Sequence, residues 1–163
     1  MKTAVYAGTF DPPTYGHLDI IKRASAVFDV LIVAIMRNSE KNSVFNTEEK
    51  VAMLETICKD FDNVKILVGD GLTVDLAREN NADFLVRGIR AIMDYEYELQ
   101  IASANMVIGK DIETVFFLAR PEHSYLSSSI VRSIAEHSGD ISKFIPESII
   151  DIVNNKFQSS KSK

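Results

Sequence analysis

Gly8-Thr9-Phe10-Asp11-Pro12-Pro13-Thr14-Tyr15-Gly16-His17 lies between an apolar run, residues 2–7, and a segment with apolar residues at helical spacing, residues 18–28. The apolar run is typical of a strand that is buried on both faces, and the later segment is typical of an amphipathic helix. The quoted residues therefore form a strand-to-helix loop. Gly8 lets the backbone of this loop turn sharply or approach a ligand closely.

The alternation of strand and helix continues along the chain. Further apolar runs, typical of buried strands, lie at residues 29–36, 63–68, 83–86 and 114–119. Helical patterns begin at Asn46 with a capping box, cover residues 73–80 and 92–108, and follow Ser127 and Pro146. This order predicts a doubly wound, Rossmann-like α/β fold, in which a five-stranded parallel sheet carries helices on both faces.

Length and composition limit the classes of protein to consider. The 163 residues predict one domain, residues 1–157, followed by a polar tail, residues 158–163, that is expected to fray. The longest apolar run is far shorter than the roughly twenty residues of a membrane span, and we expect a cytoplasmic protein. A net charge of −5 argues against nucleic acid as a partner. The single cysteine, Cys58, is interpreted as a small buried hydrophobic residue.

Two predicted helix starts carry groups that suit phosphate. His17 lies in the first turn of the first helix, and Thr9 offers a hydroxyl at the start of the loop before it. Ser127-Ser128-Ser129 opens the helix after the fifth strand. Backbone amides and the helix dipole favour an anion at such positions. Because the carboxyl ends of parallel strands meet at one edge of the sheet, both helix starts are expected to face one crevice. A polyphosphate is the ligand class that this arrangement predicts.

Positive side chains follow two of the predicted strands. Lys41 lies in the loop after the second strand, and Arg87 and Arg90 lie in the loop after the fourth. Their convergence in an acidic protein predicts a local binding site for phosphate groups. The loops match neither the G-x-G-x-x-G dinucleotide signature nor the G-x-x-x-x-G-K-[ST] phosphate loop, so neither NAD binding nor a phosphate-loop ATPase is predicted.

Four motifs carry a resemblance to a known family. Residues 9–17 are similar to the T-x-G-H form of the nucleotidyltransferase motif. Together with Arg87-Gly88-Ile89-Arg90, Asp94-Tyr95-Glu96-Tyr97-Glu98 and Tyr125-Leu126-Ser127-Ser128-Ser129, they make the chain resemble the bacterial phosphopantetheine adenylyltransferases along essentially its whole length. The resemblance implies transfer of the adenylyl group of ATP to 4'-phosphopantetheine, giving dephospho-coenzyme A and pyrophosphate, the penultimate step of coenzyme A synthesis. It also implies a homohexamer built as a dimer of trimers, Mg²⁺ carried on the ATP phosphates without a direct protein ligand, and coenzyme A as a candidate feedback inhibitor.

The resemblance also assigns roles to individual residues. His17, Lys41 and Arg90 would be catalytic, and Thr9, Lys41, Thr73 and Arg87 would bind phosphopantetheine. The implied ATP-binding residues are Thr9, Phe10, His17, Gly88, Ile89, Arg90, Glu98, His123, Ser124, Tyr125, Leu126, Ser127, Ser128 and Ser129.

The chemistry of such a reaction defines what the site has to supply. A phosphate monoester has its second pKa near 6, so the acceptor is already a dianion at neutral pH and needs no general base. We expect direct in-line attack without a covalent intermediate, with His17 and Lys41 donating to the α-phosphate and Arg90 and the serines restraining the β and γ phosphates.

Three other functions fit parts of the pattern. A different nucleotidyltransferase, acting on nicotinamide mononucleotide or making a CDP-alcohol, would share the first loop. A non-catalytic nucleotide-sensing module could bind ATP through the same helix starts. A class I aminoacyl-tRNA synthetase shares the fold, but 163 residues leave no room for tRNA-binding domains.

Overall fold

The computed structural model describes residues 1–37 and 43–161 of the chain. The strands are β1 (Thr3–Gly8), β2 (Val30–Met36), β3 (Val64–Gly69), β4 (Phe84–Ile89) and β5 (Glu113–Leu118). The helices are α1 (Tyr15–Ser25), α2 (Thr47–Cys58), α3 (Thr73–Glu79), α4 (Ile92–Ile108), α5 (Ser128–Glu136) and α6 (Ile150–Lys161). Short 3-10 turns at Pro121–His123 and Glu147–Ile149 precede α5 and α6.

The five strands form one parallel sheet in the order β3-β2-β1-β4-β5. The chain moves outward from β1 through β2 to β3, and then returns to build β4 and β5 on the other side of β1. The strand order therefore reverses between β1 and β4. The predicted doubly wound fold is confirmed, and a ligand crevice is expected beyond the carboxyl ends of β1 and β4.

The sheet is buried on both faces. Along β2, Leu31 and Val33 pack into a core formed with α1, α2, α5 and α6, whereas Ile32 and Ala34 pack into a second core with α3. Successive side chains of a strand point to opposite faces, so a strand between two cores needs apolar residues at every position. This requirement explains the uninterrupted apolar run that predicted β2.

The structure corrects one boundary that bears on the site. The prediction that Arg87, Gly88 and Ile89 lie in the loop after the fourth strand is wrong, because β4 continues to Ile89 and Arg90 is the first residue beyond it. The strand is longer because Ile89 still pairs with Leu118 of β5, so the parallel ladder runs past the charged residue. A charged side chain in a strand is tolerated where one face opens onto a polar cavity.

The other elements agree closely with the sequence. The capping box of α2 is present, since Asn46 and Glu49 each bond the backbone of the other at 2.8 Å. The last helix reaches Lys161 and so enters the polar tail; the fraying of that tail and the single domain at residues 1–157 stay predictions. Within the described residues, no helix combines the length and apolar character needed to cross a membrane.

Candidate active site

A cavity of about 420 Å³ opens beyond the carboxyl ends of β1 and β4. Its walls come from the loop between β1 and α1, the end of β4, the first part of α4 and the start of α5. The cavity therefore lies where the strand order reverses, as expected for a doubly wound sheet. Twelve of the predicted site residues line it: Thr9, Phe10, His17, Arg87, Gly88, Arg90, Glu98, His123, Leu126, Ser127, Ser128 and Ser129.

The remaining predicted residues lie elsewhere or outside the described part of the chain. Ile89 is buried at the end of β4, and Thr73 is the first residue of α3. Ser124 and Tyr125 precede α5, and the Tyr125 ring is half exposed and packs edge-on against Phe144. These four residues do not line the cavity. Lys41 falls within residues 38–42, outside the described residues, so its predicted role stays untested.

His17 is held in one tautomer by the first turn of α1. Thr14 is the N-cap of this helix, and its backbone N–H donates to Nδ1 of His17 at 3.0 Å. The His17 backbone N–H in turn donates to the Thr14 hydroxyl at 3.4 Å, which completes a capping box with histidine in the place of the usual glutamate. Because Nδ1 accepts a hydrogen bond, the neutral ring carries its proton on Nε2.

The His17 ring is neutral at physiological pH. Burial of the ring, and secondarily the positive charge of Arg90, lower the pKa of His17 from 6.5 to about 4. An imidazole with Nδ1 occupied and Nε2 protonated is a neutral hydrogen-bond donor. Such a donor can bond a phosphate oxygen without exchanging a proton with it.

The Phe10 ring packs against the His17 ring. The two rings meet edge to face with centroids 5.0 Å apart, and Phe10 makes a similar contact with Tyr6 at 5.6 Å. The Phe10 side chain is buried, and its backbone adopts the left-handed conformation with φ of 49°, which is unusual for an aromatic residue. The absence of a side chain at Gly8 makes this possible, since a Cβ there would lie 3.0 Å from the Phe10 ring.

Arg90 connects the two halves of the cavity wall. Its Nη1 donates to the Leu126 carbonyl at 2.7 Å, and its Nε lies 3.0 Å from a carboxylate oxygen of Asp94 in the first turn of α4. These contacts join the end of β4 to the segment that leads into α5. The guanidinium is thereby fixed beside the cavity, and the catalytic role that the resemblance implies for Arg90 stays a prediction.

Arg87 and Glu98 form an ion pair within the cavity. The guanidinium approaches the carboxylate with two N–H groups, and the Nη2 to Oε1 distance is 2.8 Å. Both side chains are largely buried, so this two-point contact fixes the direction of the Arg87 fork. The resemblance implies that Arg87 binds phosphopantetheine and that Glu98 binds ATP, and the contact between the two residues was not predicted. Tyr6 lies close to both, and its burial raises the pKa of the phenol above the usual range.

The start of α5 faces the cavity with three serines that differ in their contacts. Ser127 is the N-cap and accepts a hydrogen bond from the Ile130 N–H at 3.2 Å. Ser128 donates through its hydroxyl to the Pro12 carbonyl at 2.7 Å, which joins α5 to the β1–α1 loop. The amides and dipole at the start of this nine-residue helix favour an anion in the cavity.

Arg132 lines the cavity and was not predicted as a site residue. Its Nη1 donates to the Asp11 carbonyl at 2.7 Å, and its Nη2 donates to the Ser129 hydroxyl at 3.3 Å. The sequence could have indicated Arg132 as a site residue, because it is four residues after Ser128 and residues four apart lie on the same face of a helix. With Arg87 and Arg90 it gives the cavity three guanidinium groups, although the protein as a whole is acidic.

Comparison with known proteins places the chain in a family. The family model described as cytidylyltransferase-like matches residues 5–134. The phosphopantetheine adenylyltransferase of Lachnoclostridium phytofermentans is 51% identical over 99% of this chain and 99% of its own. The enzymes of that name from Alkaliphilus metalliredigens and Limosilactobacillus reuteri are 44% and 46% identical, over 96% of this chain and 99% and 90% of theirs.

Solved structures agree on the fold. A putative nicotinate-nucleotide adenylyltransferase from Vibrio parahaemolyticus superimposes with a TM-score of 0.72 over 95% of this chain and 93% of its own, at 18% identity. Nicotinic acid mononucleotide adenylyltransferase from Plasmodium falciparum gives a TM-score of 0.66 over 98% and 96%, also at 18% identity. The fold, the first-loop motif and the full-length similarity to curated relatives agree, and the chain belongs to the cytidylyltransferase-like family and, within it, to the phosphopantetheine adenylyltransferases.

Proposed function

We propose that this chain transfers the adenylyl group of ATP to 4'-phosphopantetheine, giving dephospho-coenzyme A and pyrophosphate. The observation that carries the proposal is the convergence of His17, Arg90 and the start of α5 on one cavity at the reversal of strand order. Neutral donors, cations and helix amides gathered in this way suit a triphosphate. The choice of acceptor follows the names of relatives that are 41–51% identical.

The ATP phosphates are proposed to extend from His17 to the start of α5. The Nε2–H of His17 donates to the α-phosphate, while Arg90 and the α5 amides restrain the β and γ phosphates. Arg132, which lines the same wall, adds a second guanidinium for the departing pyrophosphate. Gly88 lets the Ile20 side chain pack closely against the end of β4, because a Cβ at residue 88 would lie 2.3 Å from Ile20.

The acceptor is proposed to bind beside Thr9 and Arg87. The ion pair with Glu98 holds the Arg87 guanidinium in one orientation, in which it is proposed to meet the phosphate of the acceptor. By the resemblance, Lys41 and Thr73 are also proposed to bind the acceptor. Lys41 lies outside the described residues, and Thr73 does not line the cavity. Their contribution is therefore a matter for mutagenesis.

The reaction needs charge neutralisation more than proton transfer. Two phosphate groups have to approach each other, and negative charge grows on the α-phosphate oxygens and on the pyrophosphate. Donors that are already in place stabilise that charge without reorganising, which is the main source of rate enhancement in such sites. We propose direct in-line attack with no covalent enzyme intermediate, and the donors and cations that the site offers to a dianionic nucleophile support this proposal.

A divalent metal, Mg²⁺, is proposed to enter with ATP. Bound to the phosphates, it would neutralise part of their charge. The described residues contain no group of three histidine, cysteine, aspartate or glutamate side chains that could hold a metal, whereas the cavity is rich in arginine. The arginine side chains suit the phosphates of a nucleotide.

The chain is also proposed to act as a homohexamer, a dimer of trimers, in the cytoplasm, with coenzyme A as a feedback inhibitor. Support for assembly comes from α4 and the end of β5. Ile92, Val107 and Leu118 are 82%, 76% and 67% exposed there, and Tyr97 is 63% exposed. Apolar side chains gathered along one helix and one edge strand are typical of a surface that another subunit covers.

The test is a product assay with a panel of acceptors. The purified protein is incubated with ATP, Mg²⁺ and 4'-phosphopantetheine, nicotinamide mononucleotide or nicotinate mononucleotide, with CTP and a phosphorylated alcohol as a further arm. Pyrophosphate and the nucleotide product are measured by coupled assay and mass spectrometry. Dephospho-coenzyme A is expected as the main product. Preference for a mononucleotide or for CTP would contradict the proposal, and ATP binding without pyrophosphate release would favour a sensing module.

A further inference from the structure

Asp11 is a buried carboxylate at the junction of the cavity walls. It follows Phe10 in the β1–α1 loop and is 3% exposed. Its two oxygens accept hydrogen bonds from the backbone N–H groups of Val44 and Phe45, at 3.0 and 2.9 Å. A buried carboxylate is costly unless it is bonded, so these two amides fix the segment before α2 to the loop.

The same residue contacts α5 from its other side. Nη1 of Arg132 donates to the Asp11 carbonyl at 2.7 Å and lies 3.6 Å from the carboxylate oxygen Oδ2. Next to this contact, the Ser128 hydroxyl donates to the Pro12 carbonyl at 2.7 Å. Asp11 therefore connects the β1–α1 loop to two other segments: residues 44–45, which precede α2, and α5.

Asp11 also stabilises a strained neighbour. Phe10 adopts a φ of 49°, and its ring contacts the His17 ring with centroids 5.0 Å apart. A bulky residue in the left-handed region persists where its surroundings over-determine its conformation. The bonds of Asp11 to Val44, Phe45 and Arg132 supply that constraint immediately after Phe10. A change at residue 11 is therefore expected to disturb the Phe10 ring, which contacts His17.

We propose that Asp11 is a positioning residue for the adenylyl transfer: it orients Arg132 and fixes the segment from Phe10 to His17 relative to α5. The inference rests on the proposed function. The carboxylate bonds protein groups, so its effect passes through the residues that it holds. Because a displacement of about 1 Å in a reacting group can lower a rate by about 100-fold, loss of this constraint should lower kcat more than it weakens ground-state binding.

The test compares Asp11→Asn with a matched control far from the cavity. Asn63 donates through its side chain to the Ser25 and Phe28 carbonyls at 2.8 and 3.0 Å, so Asn63→Ala also removes two side-chain bonds to backbone. Melting temperature, kcat, and KM for ATP and phosphopantetheine are measured for both variants and the wild type. Asp11→Asn should lower kcat by about tenfold or more with both KM values within about threefold, and Asn63→Ala should lower the melting temperature with kcat within about twofold.

A double variant tests the route through Arg132. If the Asp11 carboxylate orients that guanidinium through the 3.6 Å contact, Asp11→Asn should reduce kcat by a smaller factor in the Arg132→Met background than in the wild type. Fully additive losses would overturn this route. Should Asp11→Asn not fold, Asp11→Glu keeps the charge but displaces it by one methylene, and a reduced kcat is again expected.

The failures of the two proposals are distinguishable. An active wild type with an unaffected Asp11→Asn variant would overturn the role of Asp11 alone. Equal loss of kcat in the Asn63→Ala control would also overturn it, because the effect would then report general destabilisation. An inactive wild type would overturn the proposed function itself, and the role of Asp11 with it.

Discussion

Replacement of His17 by glutamine should remove a pH dependence of folding stability. The pKa of His17 is lowered from 6.5 to about 4 in the folded protein, first by burial and then by Arg90. Between these two pH values the unfolded chain binds a proton that the folded chain does not, so stability falls as the pH decreases. At about 1.4 kcal/mol per pH unit, the wild type should lose about 2 kcal/mol from this group by pH 5 and about 3 kcal/mol by pH 4.

The assay is urea unfolding of wild type and His17→Gln at pH 7.5, 6.5, 5.5 and 5. At pH 7.5 the variant should be less stable, because glutamine can still accept from the Thr14 N–H but loses the edge-to-face contact that the His17 ring makes with Phe10. That difference should shrink and then reverse as the pH falls, since glutamine has no proton to gain. Carboxylates titrate in both proteins, so the difference between the two curves isolates the histidine. A difference in unfolding free energy that stays constant from pH 7.5 to 5 would refute the lowered pKa and with it the neutral His17 donor.

Three further changes test other parts of the structure. Gly8→Ala should destabilise the fold by about 1–3 kcal/mol in urea unfolding, because its Cβ would meet the strained Phe10 ring at 3.0 Å; unchanged stability would show that the loop can yield. Glu98→Gln should raise the KM for phosphopantetheine by about tenfold in steady-state assays by releasing the Arg87 fork, and an unchanged KM would contradict that orienting contact. Val107→Asp should dissociate the proposed assembly in light scattering, since this exposed side chain would lie against another subunit; retention of the wild-type mass would exclude α4 from the interface.

Apolar patterning predicted the fold well because a parallel sheet leaves a strong signal. A strand between two cores needs apolar residues without interruption, as β2 has, and the helices between strands show the longer helical period. The predicted strand ends too early, at Val86, because a charged residue such as Arg87 is more typical of a loop than of a buried strand. Its pairing partner in β5 is 29 residues further along the chain, and that distant contact keeps residues 87–89 in the strand.

The sequence predicts the parts of the candidate site where a polar side chain lies at the start of a helix. The sequence predicts that His17 and Ser127 face one crevice because a polar residue at a helix start is a local feature, and the structure has both in the cavity lining. The partners that orient these donors were not found. The carboxylate of Asp11 bonds amides more than 30 residues away, and Arg132 reaches back 121 residues to the Asp11 carbonyl. Such contacts depend on how the loops meet at the sheet edge, which local patterns do not encode.

The most direct test of the account is the turnover of His17→Ala compared with its affinity for ATP. The central claim is that preset donors stabilise charge in the transition state, so loss of the Nε2–H should lower kcat by about 100- to 1,000-fold. ATP affinity, measured by calorimetry on protein whose folding is verified by circular dichroism, should change by less than about tenfold. Near-normal turnover in the folded variant would contradict the claim.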